Sequence, residues 1–271
     1  MPELPEIAAM KHSLEPLVAM KTVKSVQIND ATILQNVSAN SLRDEIVGKT
    51  ILSIEQRGKH LVFVLQDGSK LICHFILTGN LVLLNRKPFY SMIEIGLCDG
   101  NFIKIDDARR LMKVWFIKPL AFGMTGVLDK LGPEPLSDSF TLGYLTKLCH
   151  YYSRSIKSLL LNQSFVAGIG NCYADEILYS ARINPSTVAS SLTDMQLHEL
   201  FDCIKDVLSL YVHACYQSYN PADGLPALEN SVRQNCKVHE MSGSKCSKCD
   251  EVIKKITVEG KATWLCPSCQ R

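Results

Sequence analysis

The sequence lacks the long apolar run that a membrane-spanning helix requires, because none of its segments approaches about 18 consecutive apolar residues. The first six residues, Met-Pro-Glu-Leu-Pro-Glu, contain neither a basic nor an apolar segment, so we do not expect them to form a secretory signal. A large net charge is missing too, with 29 Lys and Arg against 27 Asp and Glu. These absences predict an intracellular protein of the cytoplasm, nucleoid or nucleus, without a membrane partner.

The basic residues that are present concentrate near the C-terminus. Residues 231–271 contain eight Lys or Arg and four Asp or Glu, whereas the whole chain has a formal net charge of only +2. Such a segment predicts a local phosphate-binding surface. A solvated charged face is the alternative interpretation.

Four of the 11 cysteines have the spacing of metal ligands. Cys246-x₂-Cys249 and Cys266-x₂-Cys269 are separated by sixteen residues, which predicts a four-thiolate zinc site with a hairpin turn at residues 258–261. Four thiolates complete the coordination of one zinc ion, so the predicted zinc is structural. Two disulfides or free thiols are the alternative.

The N-terminal half has the pattern of one helix followed by strands. Apolar residues at helical spacing follow Pro5, and Pro16 predicts the end of that helix. From about residue 22 to residue 117, apolar runs flank Asp67-Gly68 and Asp99-Gly100, which are strong hairpin signals. The predicted fold is therefore an antiparallel β-sandwich.

The C-terminal half changes to helical spacing after the Leu-Gly-Pro-Glu-Pro-Leu segment at residues 131–136. Thr193 and Gln196 form a capping-box pattern before one long apolar helix face. The predicted fold class is α+β multidomain. Its parts are a β-sandwich at 1–130, a linker at 131–136, a helical domain at 137–236 and a zinc finger at 237–271.

Seven short motifs follow one another in an order that identifies a family. They are Pro2-Glu3-Leu4-Pro5-Glu6, Arg57-Gly58-Lys59, His74 to Gly79, Asp107 to Leu111, Leu131 to Leu136, Gly168 to Glu176 and Cys266 to Gln270. Through them the chain resembles the formamidopyrimidine-DNA glycosylase / endonuclease VIII family along nearly its whole length. The Leu-Pro-Glu start resembles the formamidopyrimidine-DNA glycosylase branch. The resemblance implies a helix–two-turn–helix domain with a zinc-ribbon hairpin, and damaged double-stranded DNA in a cleft between the domains.

The resemblance also implies a bifunctional glycosylase and AP lyase that removes oxidised purines such as 8-oxoguanine and formamidopyrimidines. Pro2 would attack the sugar after removal of Met1, and β,δ-elimination would follow from the resulting Schiff base. An α-amino group has a pKa of about 7.7–8.0, so roughly a third of it is unprotonated near pH 7.5. We expect a monomer with no obligate protein partner.

Glu3, Lys59 and Lys261 complete the catalytic set that the resemblance implies, with Glu6 in support. Glu3 would move protons to the ring oxygen, Lys59 would donate a proton in elimination, and Lys261 would contact phosphate. Alternatively, Glu3 and Glu6 are helix-start acids, and the two lysines are solvated.

The implied DNA contacts and void-filling residues have alternative interpretations as well. The DNA contacts are His74, Arg109, Arg110, Arg154, Lys157, Gly170 and Asn171, and the void-filling residues are Leu77, Arg109 and Leu111. In these alternatives, His74 is a core histidine and Gly170 belongs to a capping turn. The side chains at 154 and 157 are solvated helix residues, and Leu77 and Leu111 are core leucines.

The chain departs from the family pattern at three places. Lys261 replaces an arginine at the hairpin tip, Ala108 replaces a proline, and residues 213–236 do not match the loop that closes over 8-oxoguanine. Two rivals therefore stay open. One is an endonuclease VIII-like enzyme for oxidised pyrimidines, and the other is a catalytically silent protein that binds damaged DNA.

Overall fold

The computed structural model of the chain describes residues 2–119, 126–225, 232 and 235–271. Its contacts define two compact units. The first comprises Met1–Asp129 with Cys215–Asn230, and the second comprises Lys130–Ala214 with Ser231–Arg271. The sequence-based domain limits at 130, 136 and 236 remain predictions.

Within its described residues, the first unit contains two complete α-helices and eight strands. The helices are α1 (Leu4–Val18) and α2 (Ala39–Ile46). The strands are β1 (Val23–Ile28), β2 (Ile51–Arg57), β3 (His60–Leu65), β4 (Lys70–His74), β5 (Gly79–Leu84), β6 (Ile93–Leu97), β7 (Phe102–Asp107) and β8 (Lys113–Ile117). They form two four-stranded antiparallel sheets, in the orders β1-β6-β7-β5 and β2-β3-β4-β8. The predicted antiparallel sandwich is confirmed.

Both Asp-Gly signals lie in hairpin turns, between β3 and β4 and between β6 and β7. In each turn the aspartate carboxylate accepts a hydrogen bond from the backbone N–H two residues later, at Ser69 and at Asn101, with lengths of 3.0 Å. These are local Asx turns, which short sequence patterns predict well.

The end of α1 differs from the prediction. The helix continues two residues past Pro16 to Val18. Leu14 and Val18 are both fully buried and extend the apolar face of the helix into the core. A proline this close to the helix end removes one hydrogen bond, and the burial of Val18 offsets that loss.

Within its described residues, the second unit contains three complete α-helices, all but the last four residues of a fourth, and a hairpin. They are α3 (Leu142–Tyr151), α4 (Ile156–Leu161), α5 (Asn171–Ser180), α6 (Asp194–Ser218), β9 (Lys254–Val258) and β10 (Lys261–Leu265). The Thr193–Gln196 capping box precedes α6 as predicted, since the N–H of each residue donates to the side chain of the other. One apolar cluster joins α5 to the cysteine segment, and its members are Tyr179, Val238, Cys246, Ile253, Trp264 and Cys266.

No helix within the described residues is both long enough and apolar enough to cross a membrane.

Candidate active site and nucleic-acid interface

The first candidate site lies where α1 begins. Pro2, Glu3 and Glu6 are all buried, and the backbone N–H of Glu3 donates to Oε2 of Glu6 at 2.8 Å. Glu6 therefore satisfies one of the N–H groups that a helix start leaves unpaired. This contact gives Glu6 the helix-start role of the alternative interpretation, and it also holds Glu3 in place.

A tight turn brings a lysine to the same place. Gly58 and Lys59 form the two-residue loop between β2 and β3, and Arg57 pairs with His60 across it. Of the two loop residues, only Gly58 has positive φ, at +55°, as the first central residue of a type II′ turn requires. The Nε2 of Gln56 donates to the carbonyl oxygens of Leu4 and Gly58, at 2.9 and 3.1 Å, and so ties the turn to α1.

Lys59 is buried rather than solvated. It is 7% exposed, and burial lowers the pKa of its ammonium group, while the negative charges of Glu3 and Glu6 oppose this effect. The structure therefore brings together three of the predicted residues, Glu3, Glu6 and Lys59, as interacting buried charges. A buried amine with a lowered pKa beside carboxylates is suited to proton transfer.

His74 lies on β4 opposite His60, with 4.6 Å between the ring centroids. Burial lowers the pKa of His74 to about 3, and the charges of His60, Lys59 and Lys113 act in the same direction. Its imidazole is therefore neutral at pH 7. The Nδ1 atom is buried with no hydrogen-bond partner within the described residues.

The predicted void-filling residues lie on two loops of the first unit. Leu77 and Leu111 are each 42% exposed, which contradicts the alternative that they are core residues. Arg109 is exposed as well. The Nε of the neighbouring Arg110 forms an ion pair with Oδ2 of Asp30 at 2.8 Å, and its side chain is 64% exposed.

Part of the segment that departs from the family pattern belongs to the first unit and packs on β5. The N–H of Leu83 donates to the carbonyl oxygen of Pro221 at 2.9 Å, and the N–H of Leu225 donates to Oδ1 of Asn80 at 2.9 Å. Residues 226–231, 233 and 234 lie outside the described residues.

In the second unit, Gly170 is the N-cap of α5 and Asn171 is its first residue. The Nδ2 of Asn171 donates to the carbonyl oxygen of Ala262 at 2.9 Å, while its buried Oδ1 has no partner among the described residues. The positive φ in this turn belongs to Gly168, at +87°. Gly170 has extended backbone that other residues adopt.

The predicted phosphate contact of Lys157 is wrong in this structure. Lys157 is fully buried on α4, and its Nζ donates to Oδ1 of Asp175 at 2.6 Å, to Oγ1 of Thr263 at 2.8 Å and to the carbonyl oxygen of Ala262 at 3.0 Å. An ammonium group with these three partners and no solvent exposure has no access to DNA. Lys157 instead ties α4 and α5 to β10.

Arg154, just before α4, is half-buried beside two aromatic rings. Its guanidinium carbon lies 5.6 Å from the ring centroid of Tyr152 and 5.7 Å from that of Phe165. These cation–π contacts fix the side chain, and they are compatible with the predicted contact to phosphate.

Lys261 is exposed at the tip of the β9–β10 hairpin. Glu259 and Gly260 form the two-residue loop, with φ values of +44° and +79°, as in a type I′ turn. The carboxylate of Glu259 accepts a hydrogen bond from the N–H of Ser155 at 2.8 Å. The tip that carries Lys261 is therefore tied to the start of α4.

The four predicted ligand cysteines come together, with all four sulfurs within 4.8 Å of one another. Three of the Sγ–Sγ distances are 3.4, 3.4 and 3.8 Å. A tetrahedral centre with metal–sulfur bonds of about 2.3 Å has sulfur–sulfur edges of about 3.8 Å. The cluster therefore fits a metal ion, and no disulfide joins its members.

Two acidic residues of α5 were missed by sequence reasoning. Asp175 binds Lys157 and also lies 2.7 Å from Nδ1 of His239. Glu176 accepts hydrogen bonds from the backbone N–H groups of residues 237, 238 and 239, each at 2.9 Å. Their adjacency to the Gly168–Asn171 segment was the only available signal, since their partners lie 18 to 89 residues away.

Comparison with known families matches residues 1–114 to the formamidopyrimidine-DNA glycosylase N-terminal domain and residues 131–219 to the formamidopyrimidine-DNA glycosylase H2TH domain. Formamidopyrimidine-DNA glycosylase of Carboxydothermus hydrogenoformans is 32% identical over 278 residues, covering all of both chains. The Thermus thermophilus protein of the same name is 32% identical over 275 residues, covering all of this chain and 98% of its own.

Solved structures give the same result. Lactococcus lactis Fpg in complex with an abasic site containing DNA has a TM-score of 0.90 and 28% identity, with 99% of each chain covered. The wild-type L. lactis protein with DNA containing N7-benzyl-Fapy-dG has a TM-score of 0.89 and 28% identity, with both chains fully covered.

Proposed function

Since the chain belongs to the formamidopyrimidine-DNA glycosylase family, we propose that Pro2, Glu3 and Lys59 carry out its base excision and strand cleavage. The enzyme is a DNA glycosylase of base-excision repair that acts on oxidised purines. The observation that carries the residue assignment is the buried group of Glu3, Glu6 and Lys59 beside the buried Pro2.

The chemistry follows from the secondary amine that Pro2 presents once Met1 is removed. The nitrogen attacks C1′ of the damaged nucleotide, the C1′–N bond breaks, and its electron pair leaves with the base. Glu3 delivers a proton to the ring oxygen as the sugar opens to an iminium ion. Loss of a C2′ proton then expels the 3′ phosphate by β-elimination, and loss of a C4′ proton expels the 5′ phosphate by δ-elimination.

Lys59 is placed to move protons in this sequence. Its lowered pKa, caused by burial, lets the ammonium group give up its proton more readily than an exposed lysine does. The negative charges of Glu3 and Glu6 oppose the effect of burial on this pKa, which favours return of the proton to the lysine. Burial of the charged Lys59 with Glu3 and Glu6 costs folding stability, and a catalytically silent DNA-binding protein would gain nothing from it.

DNA contacts are proposed on both units, each from its own residues. In the first unit, His74, Arg109 and Arg110 contact phosphate, and Leu77, Arg109 and Leu111 fill the space that the extruded nucleotide leaves. In the second unit, the contacts come from Arg154, Gly170, Asn171 and Lys261. The four-cysteine cluster holds one structural zinc ion that shapes the hairpin behind Lys261.

Oxidised purines are favoured over pyrimidines because the L. lactis relative was solved with Fapy-dG containing DNA. The endonuclease VIII-like alternative predicts preference for thymine glycol. Excision from duplexes that carry 8-oxoguanine, a formamidopyrimidine or thymine glycol decides between them. Faster excision of thymine glycol than of both purine lesions would overturn the purine assignment.

The role of Pro2 is tested by borohydride trapping on an abasic duplex. We expect trapping by the untagged protein and by a C-terminally tagged control. An N-terminal tag turns the Pro2 nitrogen into an ordinary amide, so that form should bind the duplex without forming an adduct. Equal trapping by the N-terminally tagged form would exclude Pro2 as the nucleophile.

A further inference from the structure

Asp107, the last residue of β7, makes more contacts than a turn-capping aspartate requires. Its side chain accepts hydrogen bonds from the backbone N–H groups of Arg109, Leu111 and Met112, at 3.0, 2.7 and 2.6 Å. The hydroxyl of Thr78 donates to the same carboxylate from another loop. Asp107 is 3% exposed, so these four donors replace the water that an exposed carboxylate would bind.

The two loops that meet at this carboxylate are the loops of the void-filling residues. Thr78 follows Leu77 directly, and the N–H groups of Arg109 and Leu111 belong to the other two void-filling residues themselves. Twenty-nine residues separate Thr78 from Asp107 in sequence. The pairing of Gly79 with Asp107 at the ends of β5 and β7 brings them together.

Both loops also contain a strained residue. Ile76 has φ of +55° and Arg110 has φ of +54°, in a region that non-glycine residues seldom adopt and that β-branched residues avoid most strongly. Such strain persists only where surrounding contacts hold it. The N–H groups of Arg109 and Leu111, on either side of Arg110, donate to the Asp107 carboxylate, and the hydroxyl of Thr78, two residues after Ile76, donates to it as well.

The carboxylate is ionised under the conditions of DNA repair. Burial alone would raise the pKa of Asp107, but the hydrogen bonds from Thr78, Met112, Arg109 and Leu111 outweigh burial and lower it. Hydrogen bonds to a charged acceptor are stronger than those to a neutral one, so the charge strengthens the hold on both loops.

We infer that Asp107 is the positioning residue for nucleotide extrusion, holding the two loops in one arrangement so that Leu77, Arg109 and Leu111 enter the duplex together. The inference rests on the proposed role of these three residues as void fillers. Asp67 and Asp99 provide the contrast, since each accepts hydrogen bonds from its own turn and neither connects two loops that carry proposed DNA-contacting residues.

The test compares three variants. Asp107→Asn keeps the shape of the side chain but loses its charge and one acceptor oxygen. Thr78→Val leaves the three N–H bonds intact and removes only the contact between the loops. Asp99→Asn is the matched control, because it makes the same substitution at the β6–β7 turn. Thermal unfolding and metal content are measured for all three.

The first readout needs no chemistry. A duplex with a tetrahydrofuran site carries 2-aminopurine beside the orphaned base, and its fluorescence rises when side chains unstack the neighbouring bases. At saturating protein, we expect Asp107→Asn and Thr78→Val to lose most of the rise that the wild type and Asp99→Asn produce. A full rise with both Asp107→Asn and Thr78→Val would overturn the inference.

The second readout separates positioning from general damage to the enzyme. Excision is measured for a lesion in a fully paired duplex and for the same lesion in a bubble of unpaired bases. Asp107→Asn should slow excision from the paired duplex by at least about tenfold and should change excision from the bubble much less. Equal slowing on both substrates would show a merely structural role and overturn the inference.

Failure of the inference is distinguishable from failure of the proposed function. If the wild type excised neither purine lesion from either substrate, the proposed function would fall, while the 2-aminopurine signal would still report on the loops. If the wild type excised both lesions and Asp107→Asn matched it on the paired duplex, only the inference would fall.

Discussion

At the scale of single residues, Lys59 shows how burial changes the behaviour of a charge. Its pKa in the folded protein lies below the ordinary value of 10.5, because burial outweighs the attraction of Glu3 and Glu6. The unfolded chain therefore binds more protons than the folded chain between the folded pKa and 10.5. The free energy of unfolding gains a contribution from Lys59 that rises with pH across this window.

We expect Lys59→Met to remove that rise. As pH rises toward 10.5, the wild type should gain stability relative to the variant, because deprotonation relieves the penalty of the buried charge. Urea unfolding midpoints at several pH values measure the difference. The exposed Lys24 offers a control, since the unfolding midpoints of Lys24→Met should change with pH as those of the wild type do. If the midpoints of Lys59→Met also changed with pH as the wild-type midpoints do, the prediction would be contradicted.

Lys261 carries a second prediction at this scale. Its exposed ammonium group at the hairpin tip offers phosphate a flexible point charge, whereas an arginine would offer two parallel hydrogen bonds. Lys261→Ala should therefore weaken DNA binding by about 1–3 kcal/mol and slow excision. Lys261→Arg, the matched control that keeps the charge, should equal or exceed the wild type.

The salt dependence of binding checks the Lys261 prediction directly. Each phosphate contact releases about one counterion, so the slope against salt should flatten by about one ion for Lys261→Ala and stay unchanged for Lys261→Arg. If the Lys261→Ala variant had the salt slope and excision rate of the wild type, Lys261 would be a solvated turn residue with no contact to phosphate.

At the scale of elements, the contacts that hold α4 and α5 on β10 include one buried ion pair. Lys157 and Asp175 have side chains that are 1% and 0% exposed, and 2.6 Å separates Nζ from Oδ1. Lys157 lies near the segment that resembles a DNA-binding signature, and yet its side chain is buried. The contact with Asp175 explains this burial. It also means that the hairpin carrying Lys261 depends on α4 and α5 for its position.

Lys157→Met should destabilise the second unit by about 3–5 kcal/mol, because it leaves the buried Asp175 without its cation. Urea unfolding measures the loss. Lys147→Met, at an exposed lysine of α3, is the control and should leave stability within about 0.5 kcal/mol of the wild type. A comparably small loss for Lys157→Met would show that His239 and the N–H of Trp264, the other partners of the Asp175 carboxylate, suffice to stabilise it.

At the scale of the whole molecule, the two tryptophans provide one reporter for each unit. Trp115 lies on β8 of the first unit, and Trp264 lies on β10 of the second, 9% exposed in the cluster that includes Cys246 and Cys266. Single-tryptophan variants therefore follow each unit separately.

Metal removal should affect the two reporters differently. In Trp115→Phe, a chelator should shift the emission of Trp264 to longer wavelength, because the cluster loses the metal that holds its thiolates together. In Trp264→Phe, the emission of Trp115 should stay unchanged. Cys249→Ser should reproduce the effect of the chelator, whereas the control Cys98→Ser should not. If neither the chelator nor Cys249→Ser changed the Trp264 emission, a structural metal would be excluded.

The sequence by itself determined the features whose cause is local. The Asp67-Gly68 and Asp99-Gly100 turns were predictable because an aspartate and the N–H two residues later form the turn without help from the rest of the fold. The cysteine spacing likewise predicted the cluster, because each Cys-x₂-Cys pair is a short, self-contained unit.

Only the tertiary structure decided which charged and apolar side chains reach solvent. Lys157 has the sequence context of a DNA contact, but its partners lie 18 and more than 100 residues away, so its burial has no local signal. The exposure of Leu77 and the joining of two loops by Asp107 depend in the same way on the pairing of β5 with β7. Burial and long-range hydrogen bonds arise when distant segments pack, and no periodicity or motif within one segment records them.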